Sequence, residues 1–579
     1  MASTTTRRQR DTARIVPGIV GRRPIAARGP GGELSRAGRD TNGAVGRPSE
    51  RIAALAAAGL LGLGGCGAST RGPTPPTHPE ERGGKEDLAI ELPEVELAGV
   101  RFVPEAIVAP SMLLVHGTRA GTLERLRATW ARTRADRRAS AAKRALDGQL
   151  LATALFEAAR TDVARRDALL TEAAAVVAAI HAATPGATDE TSLVMGAALA
   201  FALGDAAAAE PYLVELSQRF ADRPGGVTAR TQLAFARLRD GGDAIATALL
   251  AAATPAATAP DLAYVIAWTR FRAGDGPGAA AAITLAAQGW TAAATLPALE
   301  RDFVVMHARS GLPLATALDA VAAVTGDAPR RHALLFQLAT AYGFAGRPDE
   351  ARAALDAAVA ALPAPPTELL PSIRLLQAEY VRRAGRVDEL GAAWRAAVAA
   401  MAACGGCGAD DRRAIGDGLA ARAVEAHTVF ATAGDGRFRR AAEELYRQFA
   451  ALPDGATRPD HQAMAQYAAD FAQVRAPADG AQYKDAIAVP MALRQQEVLA
   501  CYEATLQGQP GVSGALTVTL EIDQQGAVRG VATDPPRGAE GLAQVAECVD
   551  ARARTWQLPA RVRPGTARVT ARYVLGARP

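Results

Sequence analysis

The chain has 579 residues, and its 65 lysines and arginines nearly balance 60 aspartates and glutamates, leaving a formal net charge of +5. Alanine dominates, aromatics make up 5%, and arginine far outnumbers lysine. The length exceeds one ordinary domain. The small charge surplus, with no basic stripe interleaved with aromatics, speaks against a nucleic-acid surface; the Arg-dense stretch Arg125 to Arg144 reads as a solvated helix face.

The first fifty or so residues are rich in Arg, Gly and Pro without an apolar pattern, a composition that does not fold. Arg22-Arg23 has the form of a twin-arginine export signal but lies far from the next apolar run, and a start near Val45 would give an n-region of ordinary length. That run, Ile52 to Cys66 (IAALAAAGLLGLGGC), follows Arg47 and Arg51. A spanning helix needs roughly 20 apolar residues, so the run is too short to cross and has the build of a secretory h-region. Leu63-Gly64-Gly65-Cys66 resembles a bacterial lipobox. The resemblance implies that residues 1–65 are a leader and signal peptide removed after Gly65, and that Cys66 carries a diacylglyceryl group. The chain would then meet the membrane through lipid. Gly67 stands where an inner-membrane retention signal tends to have Asp, which favours the outer membrane facing the periplasm. A short buried Ala/Leu helix is the plainer alternative.

With Cys66 lipidated, Cys404, Cys407, Cys501 and Cys548 remain, in a compartment where disulfides persist. The simplest pairing joins Cys404 to Cys407 and Cys501 to Cys548.

Residues 66–122 read as a lipidated Pro/Gly-rich tether followed by extended pieces: Ile90-Glu91-Leu92, Val100-Arg101-Phe102-Val103 and Leu113-Leu114-Val115. Leu113 to Gly117, with His116, resembles the start of an α/β-hydrolase oxyanion loop. That enzyme class also needs a G-x-S-x-G elbow, and Gly511-Val512-Ser513-Gly514 departs from it, so the segment reads as a strand end with a turn.

From 123 to 480 the apolar spacing of three and four predicts helices throughout. Turn glycines recur at Gly204, Gly241, Gly274, Gly311, Gly346 and Gly385, spaced 33 to 39 residues apart. Five positions after them stand Ala209, Ala246, Ala279, Thr316, Ala351 and Leu390; Phe201, Phe235, Phe271, Tyr342 and Tyr380 precede most of them. Such a period predicts helical hairpins stacked as a solenoid, the small residue allowing close crossing and the aromatic filling the groove between units. Leu338 to Pro363 resembles a tetratricopeptide repeat (TPR), with Tyr342, Gly346, Ala351, Leu355, Ala358 and Pro363 at the family's signature positions. Tyr264 to Ile283, with Gly274 and Ala279, is a second unit, and Val424 to Pro453 a looser third. A non-repetitive helical bundle is the alternative.

The pattern changes near Gln482. Met491 to Leu506 predicts a helix, Gly514 to Asp523 and Ala527 to Thr533 a hairpin, Leu542 to Trp556 a helix, and Ala567 to Val574 a strand. Residues 488–579 resemble the TonB-like C-terminal domain of the AgmX/PglI type found in envelope-spanning gliding-motility proteins. The resemblance rests on Val498 to Tyr502, Gly514, Ile522, Gly526-Ala527-Val528, Val545 to Val549 and Trp556-Gln557-Leu558-Pro559, with Leu558 where the family tends to show Phe. It implies an α-β-β-α-β domain stapled by Cys501 and Cys548.

The expected fold is mainly α: a TPR-like solenoid followed by a small α+β domain. Cys404-Gly405-Gly406-Cys407 reads as a structural bridge, with a redox pair or a metal site as alternatives. Seven histidines are scattered without ligand spacing, and Gly274 to Gly278 lacks the strand and Lys-Ser/Thr of a phosphate loop. No catalytic residue, metal or cofactor is predicted. The expected function is a lipid-anchored scaffold that binds envelope proteins or peptide segments, with an outer-membrane-protein assembly chaperone as alternative and a thiol oxidoreductase using Cys404 and Cys407 as third.

Overall fold

The computed structural model describes residues 88–104, 120–184, 186–239, 241–251, 260–289, 296–364, 367–452, 458, 460–476, 482–535 and 540–577. The apolar run ending at Cys66, the tether after it and the Leu113–Gly117 segment lie outside them. The described chain is mainly helical, with twenty α-helices and one small mixed sheet. No helix among the described residues is long and apolar enough to cross a membrane.

Successive helices fold back on each other through tight turns. The helix Glu190–Ala202 ends as a Schellman motif: Gly204 N–H donates to Phe201 O (3.0 Å) and Asp205 N–H to Ala200 O (2.9 Å). Gly204 sits at φ 76°, where a Cβ is strained, and Asp205 then caps the next helix by accepting from Ala208 N–H at 2.9 Å. The same closure recurs at Gly346, where Arg347 N–H donates to Tyr342 O at 2.9 Å. Gly241, Gly274, Gly311, Gly385 and Gly434 share the positive φ. Gly434, which closes the helix Ala409–Ala433, falls outside the spacing of the other six.

Small residues sit where the returning helix crosses. Ala209, Ala246, Ala279 and Ala351 are fully buried. Thr316 departs from the expectation: it is exposed, and Ala317 takes the buried place. The turn after Gly311 is one residue longer, because its helix starts at Leu314 behind Pro313, and the register moves with it. Neighbouring hairpins also meet closely: a Cβ on Gly343 would lie 2.6 Å from the Tyr380 ring.

The sheet gathers both ends of the chain. Strands β1 (Leu88–Glu91) and β2 (Val95–Gly99) run end to end along one edge of β5 (Ala567–Ala577), both parallel to it. β3 (Gly514–Ile522) pairs antiparallel with β5 on its other side, and β4 (Val528–Asp534) forms the far edge. Leu516, Val518, Leu520 and Ile522 alternate onto one face with Val569, Ala571, Tyr573 and Leu575, packed against helices Tyr483–Gly508 and Glu540–Ala553.

Two sequence expectations shift here. Of the extended pieces expected from the sequence, Ile90–Leu92 overlaps β1 and Val100–Val103 is irregular, while β2 at Val95–Gly99 lies between them. The helix expected from Met491 begins at Tyr483 and carries Pro490 inside it. Buried Tyr483, Ala486 and Ile487 hold that first stretch in the core, which outweighs the hydrogen bond lost at the proline.

Candidate interaction site

The helix Tyr483–Gly508 lies along the row of turns at the ends of the helical hairpins, and the segment after β2 is wedged between them. Gly99 presses on Tyr502, whose ring a Cβ would meet at 2.7 Å. Val100 N–H donates to Glu503 Oε1 (3.2 Å) and Phe102 N–H to Gln507 Oε1 (3.1 Å). From the hairpin side, Arg272 donates to Phe102 O and to Gln507 O, and Arg101 pairs with Asp243 at 2.7 Å. The Phe102 ring meets Phe271 edge-on and lies under the Arg309 guanidinium, 4.6 Å from the ring centre.

Arg309 and Glu503 form the central ion pair, 2.5 Å apart, with both side chains more than nine-tenths buried. Burial pushes the Arg309 pKa down, and the facing Glu503 carboxylate opposes that shift. Burial, added to the Arg101 charge and against that of Asp243, lowers Arg272 to about 10.

Further along, two arginines of the terminal domain cap hairpin helices. Helix C-termini leave carbonyls unpaired and carry partial negative charge, so a cation there is stabilised. Arg494 donates to Arg383 O (3.1 Å), just before the Gly385 turn, and to Glu497 Oε1 (2.9 Å). Arg552 donates to Ala345 O (3.1 Å) and Gly346 O (3.4 Å). Trp556 Nε1 holds the other Glu497 oxygen at 2.9 Å. Asp435 reaches the opposite way, accepting from Ala560 N–H at 2.9 Å and from Arg437, which also donates to Leu558 O. Between these contacts lies a cavity of about 520 Å³ lined by Arg309, Arg347, Arg494, Arg552, Glu350 and Glu497. A second, of about 350 Å³, lies between neighbouring hairpins and is lined by Arg352, Asp356, Arg374, Gln377 and Glu389.

Of the repeat-signature residues, Tyr342, Ala351, Leu355, Ala358 and Ala279 are fully buried, Gly274 and Gly346 have positive φ, and Pro363 is exposed beyond the helix end. They build the hairpins and, apart from Gly346, do not line the cavity at the terminal domain. Cys501 and Cys548 are bonded and join helices Tyr483–Gly508 and Glu540–Ala553. Cys404 and Cys407 are bonded as well. Cys404 caps the C-terminus of Val387–Ala403, as the sequence suggests, but Cys407 stands immediately before Gly408, the N-cap of Ala409–Ala433. Cys66 lies outside the described residues.

Sequence reasoning missed Arg272, Arg309, Glu503, Arg494 and Arg552. A signal existed: Arg239, Arg272, Arg309 and Arg383 each stand two residues before a turn glycine, an offset that puts a cation at the end of the hairpin row. Compared with known proteins, the chain matches no family model and no curated protein.

Proposed function

We propose that this protein is a lipid-anchored interaction scaffold of the bacterial envelope, with TPR-like hairpins and a TonB-like terminal domain, facing the periplasm from the outer membrane. The observation that carries the reading is the row of glycine-closed hairpin turns from Gly204 to Gly434, all left-handed, each followed by a returning helix. Repeating hairpins of this kind offer a groove between neighbours for an extended or helical segment of a partner. The cavity bounded by Arg352 and Arg374 supports such a groove. At the other end, β4 has β3 as its pairing partner among the described residues, so its outer edge can accept a strand from an envelope protein. The work done is recognition, with the lipid on Cys66 concentrating both surfaces at one membrane.

Mass spectrometry of the protein extracted from membranes tests the anchor: the reading expects an acylated N-terminal Cys66. An unmodified chain retaining residues 1–65 in a soluble fraction would contradict it. Blunting β4 with Ala532→Lys and Asp534→Lys, both exposed, separates scaffold from chaperone, because edge lysines block strand addition and leave the hairpin groove intact. A scaffold loses envelope partners; an assembly chaperone keeps its clients.

Thiol exchange has one observation in its favour, the place of Cys407 at the positive end of a helix, which lowers a thiol pKa. Unchanged phenotype in a Cys404→Ser, Cys407→Ser variant removes it.

A further inference from the structure

The cavity of about 520 Å³ between the hairpin turns and the terminal domain has an uneven charge balance. Around it Arg309 pairs with Glu503 (2.5 Å), Arg347 with Glu350 (2.8 Å), Arg494 with Glu497 (2.9 Å) and Arg386 with Asp349 (2.9 Å). Arg552 lines the same space and, among the described residues, pairs with no carboxylate; only its Nη1 is engaged, by the Ala345 and Gly346 carbonyls. Its Nε and Nη2 have no protein partner among the described residues and are not among the fully buried unpaired atoms, so they are open to the cavity and its solvent. Burial first, and then the like charges of Arg309 and Arg347, hold the pKa of Arg552 below the ordinary guanidinium value against the pull of Glu497 and Glu350.

We propose that this cavity is a binding site for a carboxylate, which completes a fifth ion pair on Arg552. Four pairs cancel, and Arg552 is left with helix-end carbonyls but no carboxylate partner, so a matching charge in this partly desolvated space is gained. A guanidinium presents parallel N–H groups in the geometry of a carboxylate fork. The surplus is a single charge, so a monoanionic carboxylate balances it, whereas a phosphate dianion would leave negative charge over beside Glu350 and Glu497. The volume falls within the range of small-ligand sites and leaves room beyond the carboxylate for the body of its carrier. That carrier is either a free organic acid or an acidic side chain of a bound peptide. The site spans two parts of the chain, because Arg309 and Arg347 come from the hairpins and Arg494 and Arg552 from the terminal domain. It needs neither the lipid nor the repeat assignment.

Calorimetric titration of the full chain with butyrate, hexaglutamate and inorganic phosphate tests the proposal. Binding of either carboxylate probe is expected; butyrate alone marks a small-acid site, and hexaglutamate alone marks a peptide site. Arg552→Gln should weaken binding by about tenfold or more, as expected for one lost charge-assisted contact. Since Arg552 also holds two carbonyls, a second variant leaves it in place: Ala504→Glu, from an exposed position on the cavity wall, supplies a carboxylate internally and should compete to a similar extent. Ala504→Gln and Arg554→Gln should bind as the unaltered protein does. No binding of either carboxylate, phosphate binding tighter than both, or undiminished affinity in Arg552→Gln and Ala504→Glu would each overturn the proposal.

Discussion

A buried arginine that must meet a carboxylate from another part of the chain makes a specific demand on both. Arg309→Met would leave Glu503 charged and buried, a change expected to cost about 3–5 kcal/mol of unfolding free energy by denaturant titration. Adding Glu503→Gln should recover much of that loss, because the amide oxygen still accepts from Val100 N–H. Two buried groups contribute to the acid side of the stability profile. Burial favours neutral His307 and lowers its pKa to about 4, so its contribution is complete above the ordinary value of about 6.5 and is lost as pH falls through 4. Burial would raise Glu379, but the hydrogen bond and charge of Arg382, with Arg383 and Arg422, lower it to about 2; its contribution is present above about pH 4.5 and is lost towards pH 2. In pH-dependent unfolding, His307→Gln should flatten the profile between about pH 6.5 and 4 and leave the lower window in place.

The turn glycines do two different jobs at the scale of a hairpin. Gly204 has open space around its Cβ position, so Gly204→Ala meets only the positive-φ penalty, about 1–2 kcal/mol. Gly346 has the same backbone, and a Cβ there would also lie 2.6 Å from Arg552 Nη1 and 3.0 Å from Glu497 Cα, so Gly346→Ala should destabilise more and loosen the terminal domain. Melting of the two variants side by side checks the ranking. The Cys501–Cys548 bridge spans 47 residues, and replacing both cysteines by serine is expected to cost about 2–4 kcal/mol in the same assay. Most of this scale was legible in sequence. Glycines such as Gly274 marked turns, Ala279 and Ala351 marked close crossings, and the alternation from Leu516 to Ile522 marked a strand. Where the reading slipped, a local rule met a tertiary one: Pro490 reads as a helix breaker but sits in a helix held by Tyr483 and Ile487, and one extra turn residue moved the buried position from Thr316 to Ala317.

What the sequence did not disclose is how its ends come together. β1 and β2 carry too few residues to announce a sheet, and their partner β5 lies at the opposite end of the chain, so no local period joins them. The docking of helix Tyr483–Gly508 on the turns is equally non-local, although the arginines before the turn glycines hinted at it. The consequence is mechanical: the segment nearest the expected anchor is built into the terminal sheet and gripped by the hairpins through Arg272 and Arg309 on Phe102. Hairpins, N-terminal segment and terminal domain therefore make one unit, and deleting residues 88–103 should lower the stability of β5 and helix Tyr483–Gly508 together. Hydrogen exchange read by mass spectrometry on the intact chain tests this most directly. Amides from Val95 to Phe102 should be protected to the same degree as those of β5 and should open with them. Rapid exchange of Val95 to Phe102 while β3 and β5 stay protected would contradict it.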